Sequence, residues 1–329
     1  MLGLPVIQDI SDLSKLTHIS KYTIYQLSKH SDKYYRIYSI PKKSGGQRII
    51  CQPAKKLKGL QAWLLVNILN KTKTSESCKG FEKGSSILDN VKPHRGSNTV
   101  LSIDIEDYFP SINSKQVYNI FYTIGYNKLM ATVFTNICTC NGFLPQGSPC
   151  SPRLANLVSW MLDVRIQGYV GRRGINYTRY ADDMTFSGLK PKTVTNIIPV
   201  VKSILLDEGF KINSSKTRIA GAARAKRITG LILSDNSCGI GKQEYKKLRS
   251  KIYHLALDKE NKNTKLLNHV NGWLSYLNSV DKKRLEQVFI YIKKLENKFP
   301  NRQMSKFDPI IKKDNYIILN IENNQKKEK

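Results

Sequence analysis

Two adjacent aspartates, Asp182 and Asp183, interrupt the stretch Tyr177-Thr-Arg-Tyr-Ala-Asp-Asp-Met-Thr-Phe-Ser187. Alternating aromatic and β-branched residues lead up to them and away again to Gly188, a pattern that predicts a β-hairpin with two acids at its tip. Asp is a common turn residue, so an isolated Asp-Asp pair reads as turn chemistry alone. With further acids brought beside it, the same pair becomes a metal site. The charge of the chain makes the question sharper: Lys+Arg is 54 against Asp+Glu 25, a net charge of +29 spread along the whole length. Such a field favours a polyanion, either nucleic acid or an anionic membrane surface. No apolar run approaches the ~20 residues of a membrane span, and the start, Met1-Leu-Gly-Leu-Pro, lacks the features of a signal peptide. The expected location is the cytoplasm.

The chain has 329 residues, of which 40% are hydrophobic and 24% charged, enough for a large core and two or three subdomains. Cys51, Cys78, Cys138, Cys140, Cys150 and Cys238 lack the paired spacing of zinc sites, and reduced structural thiols are expected. The histidines are scattered, with no His-Glu-x-x-His.

Two short helical patterns at 10–16 and 21–29, the second capped by Ser20, resemble a helix-turn-helix only in outline and read as a packing extension. Strands are predicted at 34–40 and 47–52. The turn between them, Pro41-Lys-Lys-Ser-Gly-Gly46, places Lys42, Lys43 and Arg48 near the tip of a basic hairpin suited to a triphosphate. An amphipathic helix follows at 54–69 with Leu57, Leu60, Leu64 and Ile68 on one stripe, then a polar loop at 71–79 and a short helix at 85–91. The strand predicted at 98–106 points Leu101, Ile103 and Ile105 to one face and Ser102, Asp104 and Glu106 to the other. Asn113 and Gln116 form a capping box for the next helix, which stops at Gly125. A loop at 141–152 feeds a helix opened by Ser151 and Pro152, with Leu154, Val158, Met161 and Leu162 as its stripe. Beyond the acid hairpin the pattern gives a helix at 194–208, a strand at 210–213, another at 227–233, and then helices only, from Lys242 to Phe299. Residues 323–329 read as disordered.

Three carboxylates therefore stand out: Asp104 near the end of one strand, and Asp182 and Asp183 at a hairpin. Without a cation, acids brought together repel and some stay protonated. Mg²⁺ uses carboxylate, water and phosphate oxygens together, and two such ions clamp the attacking and leaving oxygens of an in-line phosphoryl displacement. Adjacent residues of an extended strand face opposite ways, so Asp104 and Asp182 are the firmer ligands and Asp183 an assistant.

Asp104-Ile-Glu-Asp-Tyr-Phe-Pro, Leu144-Pro-Gln-Gly-Ser-Pro and Tyr180-Ala-Asp-Asp occur in that order. They resemble the core palm motifs of reverse transcriptases, and Glu208-Gly-Phe-Lys-Ile-Asn-Ser-Ser-Lys216-Thr resembles a later palm motif of the same family. The resemblance covers roughly residues 34–300. It implies an α+β right-hand polymerase fold with fingers, a palm built on a small antiparallel sheet, and a helical thumb. The implied division is a helical extension at 1–33, fingers at 34–98, palm at 99–235, thumb at 236–300 and a tail at 301–329.

Site roles follow from the same resemblance. Asp104, Asp182 and Asp183 would hold two Mg²⁺ ions. Lys43, Arg48, Asp107, Phe109 and Gln146 would bind the dNTP, with the Phe109 ring excluding a ribose 2′-OH. Lys216 would protonate the departing pyrophosphate, unless it is a plain surface lysine, and Tyr180 would touch the primer end. The spacing leaves Lys42 and Lys43 as alternatives at the triphosphate.

Within that family the chain looks most like the bacterial retron enzymes, whose Asn-Ala-x-x-x-His and Val-Thr-Gly elements have counterparts in Asn90-Val-Lys-Pro-His94 and Ile228-Thr229-Gly230, with Val91 and Ile228 departing from the pattern. The resemblance implies RNA binding through Asn90, His94, Thr229, Gly230 and the thumb residues Lys246, Arg249 and Tyr253. The implied partners are a cognate non-coding RNA and its RNA–DNA product, dNTPs, and an effector protein encoded nearby. The implied activity is synthesis of branched multicopy single-stranded DNA from a guanosine 2′-OH, in anti-phage defence. A diversity-generating or abortive-infection reverse transcriptase and a non-catalytic RNA-binding protein are the rival readings.

Overall fold

The computed structural model describes residues 3–42, 45–221, 223–234, 237–258 and 263–299. The chain divides into two compact units at the junction of Thr229 and Gly230.

In the first unit short polar side chains open the helices, Ser20 as read and Asp9 in addition. The Asp9 side chain accepts from Asp12 N–H to open α1 (Ile10–Thr17), and Ser20 accepts from Thr23 N–H to open α2 (Lys21–Lys29). Leu13, Ile24 and Leu27 are buried, so both helices are core-packing elements. Strands β1 (Tyr35–Pro41) and β2 (Gln47–Pro53) form an antiparallel hairpin exposed along most of its length. Helix α3 (Lys55–Asn67) buries Leu57, Leu60 and Leu64, with Ile68 just beyond its end. Helix α4 (Ile87–Val91) opens on a Ser86–Asp89 capping box.

Strand β3 (Thr99–Ile105) is buried on both faces rather than one, with only Ser102 half-buried. Strands flank it on both edges, and α9 (Pro191–Thr195) packs against it. The reciprocal Asn113–Gln116 capping box, 3.0 Å each way, starts α5 (Ser114–Thr123) as expected. Helix α6 (Lys128–Cys138), which the sequence pattern did not mark, packs against α2, α3 and α5.

Two predicted long helices each break in two. The first gives α7 (Ser151–Val158) and α8 (Trp160–Gly171), divided at Ser159. Ser151 does not cap it: Cys150 holds that place, and the Ser151 hydroxyl donates to Pro145 O at 2.6 Å. Leu154 and Leu162 are buried, but Met161 is exposed, because the break rotates the stripe. After β4 (Asn176–Tyr180) and β5 (Asp183–Gly188), the second gives α9 (Pro191–Thr195) and α10 (Ile198–Asp207). Strand β6 (Ile212–Ala220) runs well past the predicted 210–213, and β7 (Lys226–Ile228) ends the unit. The predicted strand at 227–233 breaks where Thr229 takes φ 44° and Gly230 φ 87°. The central sheet is antiparallel in the order β4-β5-β3-β6.

The second unit holds β8 (Leu231–Leu233) paired with β9 (Cys238–Gly239), then α11 (Gly241–Leu257), α12 (Thr264–Val280) and α13 (Lys282–Lys298). The three helices pack pairwise around Leu248, Ile252, Leu274, Leu277, Val288 and Ile292. Trp273 is half-buried. All six cysteines are free thiols. The predicted tail at 301–329 lies outside the described residues.

Candidate active site

The register of the central sheet brings the acids together. Asp104 on β3 is the ladder partner of Asp183 on β5, and Ile105 N–H donates to Asp182 O at 2.9 Å. Directly opposed residues share a face. The alternation rule that set Asp183 apart stops at the turn, because β5 begins at Asp183 and Ala181 takes the left-handed φ of 57°. Asp182 therefore belongs to the turn and Asp183 to the ladder.

On the other edge of β3 the register to β6 slips: Ser102 pairs with Arg218, yet Asp104 pairs with Asn213. The extra residues, 214–217, form a bulge, closed by Ser215 Oγ on Asn213 Oδ1 at 2.7 Å and Thr217 Oγ1 on Asn213 O at 3.3 Å. Bulges re-aim side chains beside active sites. This one carries Lys216, whose Nζ donates to both carboxylate oxygens of Asp104 at 2.9 and 3.0 Å.

Burial pushes Asp182 above the ordinary carboxylate range and Asp104 adds to the shift, while Lys216 and Arg48 oppose it. Asp183 is pushed up to about 6 by burial and by Asp182 and Asp104, with Lys216 opposing. The hydrogen bonds to Asp104 hold the Lys216 ammonium above its usual value. Among the described residues no three His, Cys, Asp or Glu side chains stand close enough to hold a metal between them. The donor chemistry nevertheless suits a hard cation: the three acids offer only oxygen ligands, two of them are strained by like charge, and an ammonium already sits on the third.

Beneath the hairpin lies a group that sequence reasoning missed. Arg179, wholly buried on β4, grips Asp163 of α8 with Nε and Nη2, both at 2.8 Å. Its Nη1 donates to Tyr108 OH at 2.8 Å and to the Ala181 carbonyl at 3.1 Å, which fixes the turn that carries Asp182. Tyr177 OH donates to Asp163 Oδ1 at 2.8 Å. A basic residue in an alternating run reads as solvent-facing, and no local signal marks it as buried.

Of the expected nucleotide-binding residues, Phe109 is half-buried and packs against the core, its ring 5.5 Å from Tyr108. Asp107 is exposed with φ 43°. Gln146 is drawn to the exposed hairpin through its main chain: Cys51 N–H donates to Gln146 O at 2.9 Å. Gly147 permits that approach, since a Cβ there would lie 2.8 Å from Cys51 O. Arg48 is exposed on β2 and stands near enough to act on Asp182. Lys43 lies outside the described residues.

The RNA-binding set divides. Asn90 and His94 are fully buried. His94 Nδ1 meets Ser187 Oγ and its Nε2 meets Thr178 Oγ1, each at 2.8 Å. Asn90 Nδ2 donates to Thr229 Oγ1 at 3.4 Å, and the Asn90 main-chain carbonyl accepts from Thr178 Oγ1 at 3.3 Å. The motif ties the β4–β5 hairpin to Thr229 from inside, which is why its polar residues are enclosed. Gly230 is exposed at the start of the second unit. Within that unit Lys246 and Arg249 are exposed on α11 and Tyr253 is half-buried, its ring 6.4 Å from Phe299. The Arg249 guanidinium lies 4.1 Å from the Tyr291 ring, and Arg284 lies 4.5 Å from that of Tyr245.

The reverse transcriptase (RNA-dependent DNA polymerase) family matches residues 40–248, and the chain is an RNA-directed DNA polymerase of the right-hand fold. It is 45% identical over 307 residues, 93% of this chain and 95% of the relative, to Retron Ec86 reverse transcriptase of Escherichia coli. It is 29% identical over 308 residues, 87% of this chain and 71% of the relative, to Retron Mx65 reverse transcriptase of Myxococcus xanthus. The chain belongs to the bacterial retron reverse transcriptases. A solved telomerase chain of Candida albicans, in complex with a TWJ fragment of telomeric RNA, aligns with a TM-score of 0.47 and 11% identity over 87% of this chain and 64% of that one, too distant to add to the assignment. No helix among the described residues is long and apolar enough to cross a membrane.

Proposed function

We propose that this enzyme copies part of a cognate structured non-coding RNA into multicopy single-stranded DNA, starting from the 2′-OH of a guanosine in that RNA and consuming dNTPs. The observation that carries the reading is the acid edge: Asp104 opposite Asp183, Asp182 in the adjoining turn, and Lys216 on Asp104. Asp104, Asp182 and Asp183 would hold two Mg²⁺ ions, which when bound lower the pKa of the attacking hydroxyl and neutralise the leaving pyrophosphate. Lys216 donates a proton to the pyrophosphate oxygen as it departs, the role its position beside the acids suits. Arg48, with Lys43 or Lys42, offsets triphosphate charge. Phe109 closes the space that a ribose 2′-OH needs, Gln146 and Asp107 line the nucleotide, and Tyr180 meets the primer end.

Residues 34–98, 99–235 and 236–300 serve as fingers, palm and thumb, preceded by the extension at 1–33 and followed by a tail at 301–329. The thumb binds RNA through Lys246, Arg249 and Tyr253, with Gly230 and the Asn90, His94 and Thr229 element shaping the approach. A-form RNA is read by shape, phosphates and 2′-OH groups, and exposed arginine stacked on tyrosine suits that task. The relatives named as retron enzymes support a retron product, and through it a part in anti-phage defence with an effector protein encoded nearby. Sequencing the nucleic acid that co-purifies with the enzyme tests the reading. A DNA joined to RNA through a guanosine 2′-OH supports it; linear DNA primed from a 3′ end contradicts it.

A further inference from the structure

Residues 77–80 lie along β4 as an added edge. Arg179 N–H donates to Ser77 O, and Lys79 N–H to Arg179 O, each at 2.8 Å. Gly80 is pressed so closely on the acid hairpin that a Cβ there would stand 2.7 Å from Ala181 N and 3.2 Å from Tyr180 Cα. Its carbonyl accepts from Asn156 Nδ2 at 2.8 Å. On the other side of Phe81, the Glu82 carboxylate takes Asn156 Nδ2 at 3.0 Å and Arg153 Nη1 at 2.5 Å. Asn156 and Arg153 are buried, so both anchors are firm.

Clamped on both flanks, Phe81 adopts φ 60°, a region that aromatic residues rarely enter. Its side chain does not retreat into the core: the residue is 48% exposed. The ring centroid lies 6.5 Å from that of Phe109 and 6.3 Å from that of Tyr180. An unusual backbone, held by a buried network to keep a large ring in solvent, points to a functional surface.

We propose that Phe81 is a positioning residue for nucleotide selection, a support that stops the Phe109 ring from yielding to a ribose. The inference rests on the reading of Phe109 as the sugar gate. A steric gate discriminates only as well as it resists displacement. Among the described residues Phe109 has two aromatic neighbours. Tyr108 is fixed by hydrogen bonds with Ala155 O, Ser159 Oγ and Arg179. Phe81 is fixed by the clamp on its backbone. Through Tyr180 the same ring links the gate to the hairpin that carries the acids.

The test measures kcat/KM for dNTP and rNTP incorporation on an RNA template-primer with the full chain. The dNTP/rNTP ratio is internal to each protein, so a smaller folded fraction does not move it. Phe109→Ala lowers the ratio by about 100-fold, the scale of rejecting a substrate through one group. Phe81→Ala lowers it about fivefold, the scale of one aromatic pair, and Phe81→Tyr restores it. The double variant discriminates no worse than Phe109→Ala alone, since Phe81 acts through that ring. Phe81→Asn, which tolerates a left-handed backbone, repeats the loss if Phe81→Ala does not fold. Relaxed discrimination in Phe109→Ala together with a wild-type ratio in both Phe81→Ala and Phe81→Asn overturns the support role alone. A wild-type ratio in Phe109→Ala overturns the gate itself.

Discussion

Two clusters of charge share the central sheet, and they differ in balance. Under the acid hairpin, Arg179 and Asp163 form a two-point ion pair with both side chains fully buried, and Tyr108, Tyr177 and Asn156 take up further hydrogen bonds around them. At the edge, three carboxylates outnumber the cations beside them, and Lys216, which pairs with Asp104, has a side chain that is 49% exposed. The first cluster is neutral and closed; the second carries surplus negative charge and stays open. A buried pair with matched hydrogen bonds holds structure in place. A surplus of crowded carboxylates is instead a demand for cations, and the proposed metal ions would meet it. The same residue types serve as frame and as site, and the difference lies in whether the charges cancel.

Substitutions separate the two in opposite ways. Asp104→Asn removes an acid from the open cluster. DNA synthesis falls by on the order of 10³-fold or more, while the urea midpoint moves by less than about 1 kcal/mol equivalent, because Lys216 is half in solvent. Asp163→Asn leaves Arg179 charged and unpaired in the core. Stability falls by about 3–5 kcal/mol in urea titration, and replacing both partners with apolar residues costs less than either single change. If Asp163→Asn unfolds no more easily than wild type, the closed cluster is not the frame described here. Lys216→Ala keeps the acids but removes the lysine proposed to protonate the pyrophosphate; single-turnover incorporation drops by about 10²-fold, with partial recovery in Lys216→Arg.

A smaller effect comes from His94, held by burial at a pKa of about 4 against 6.5 for the free side chain. The unfolded chain takes up the proton first, so stability declines as pH falls through 6.5 toward 4 and is level below that. Between pH 7 and pH 5 the loss from this group is about 2 kcal/mol. His94→Gln has a flatter urea-midpoint profile over that interval, whereas an unchanged slope contradicts the burial. Smallest of all, Lys246→Ala and Arg249→Ala each reduce the salt slope of RNA binding by about one.

Much of this was legible in the chain because it depends on local periodicity. The Asn113–Gln116 cap, the Leu57, Leu60, Leu64 and Ile68 stripe and the acid hairpin each announce themselves within a few residues. What escaped depends on partners far away. Arg179 reads as a surface residue until Asp163 and Tyr108 surround it. Lys216 is named by the resemblance, but its hold on Asp104, 112 positions earlier, depends on the bulge in β6 and has no local signal. Asn90 and His94 form a contact motif in sequence and a buried tie in space. Phe81 follows a polar loop in the sequence, and only the hydrogen bonds of its neighbours explain its exposure.

The central claim is that the open acid cluster performs templated DNA synthesis. Incubating the protein with the RNA of its own locus, dNTPs and Mg²⁺ tests it directly, with Asp182→Asn/Asp183→Asn as the comparison. The account predicts that the wild-type chain extends DNA on that RNA while the double variant, folded and still RNA-bound, makes none. Equal DNA from the two proteins would contradict it.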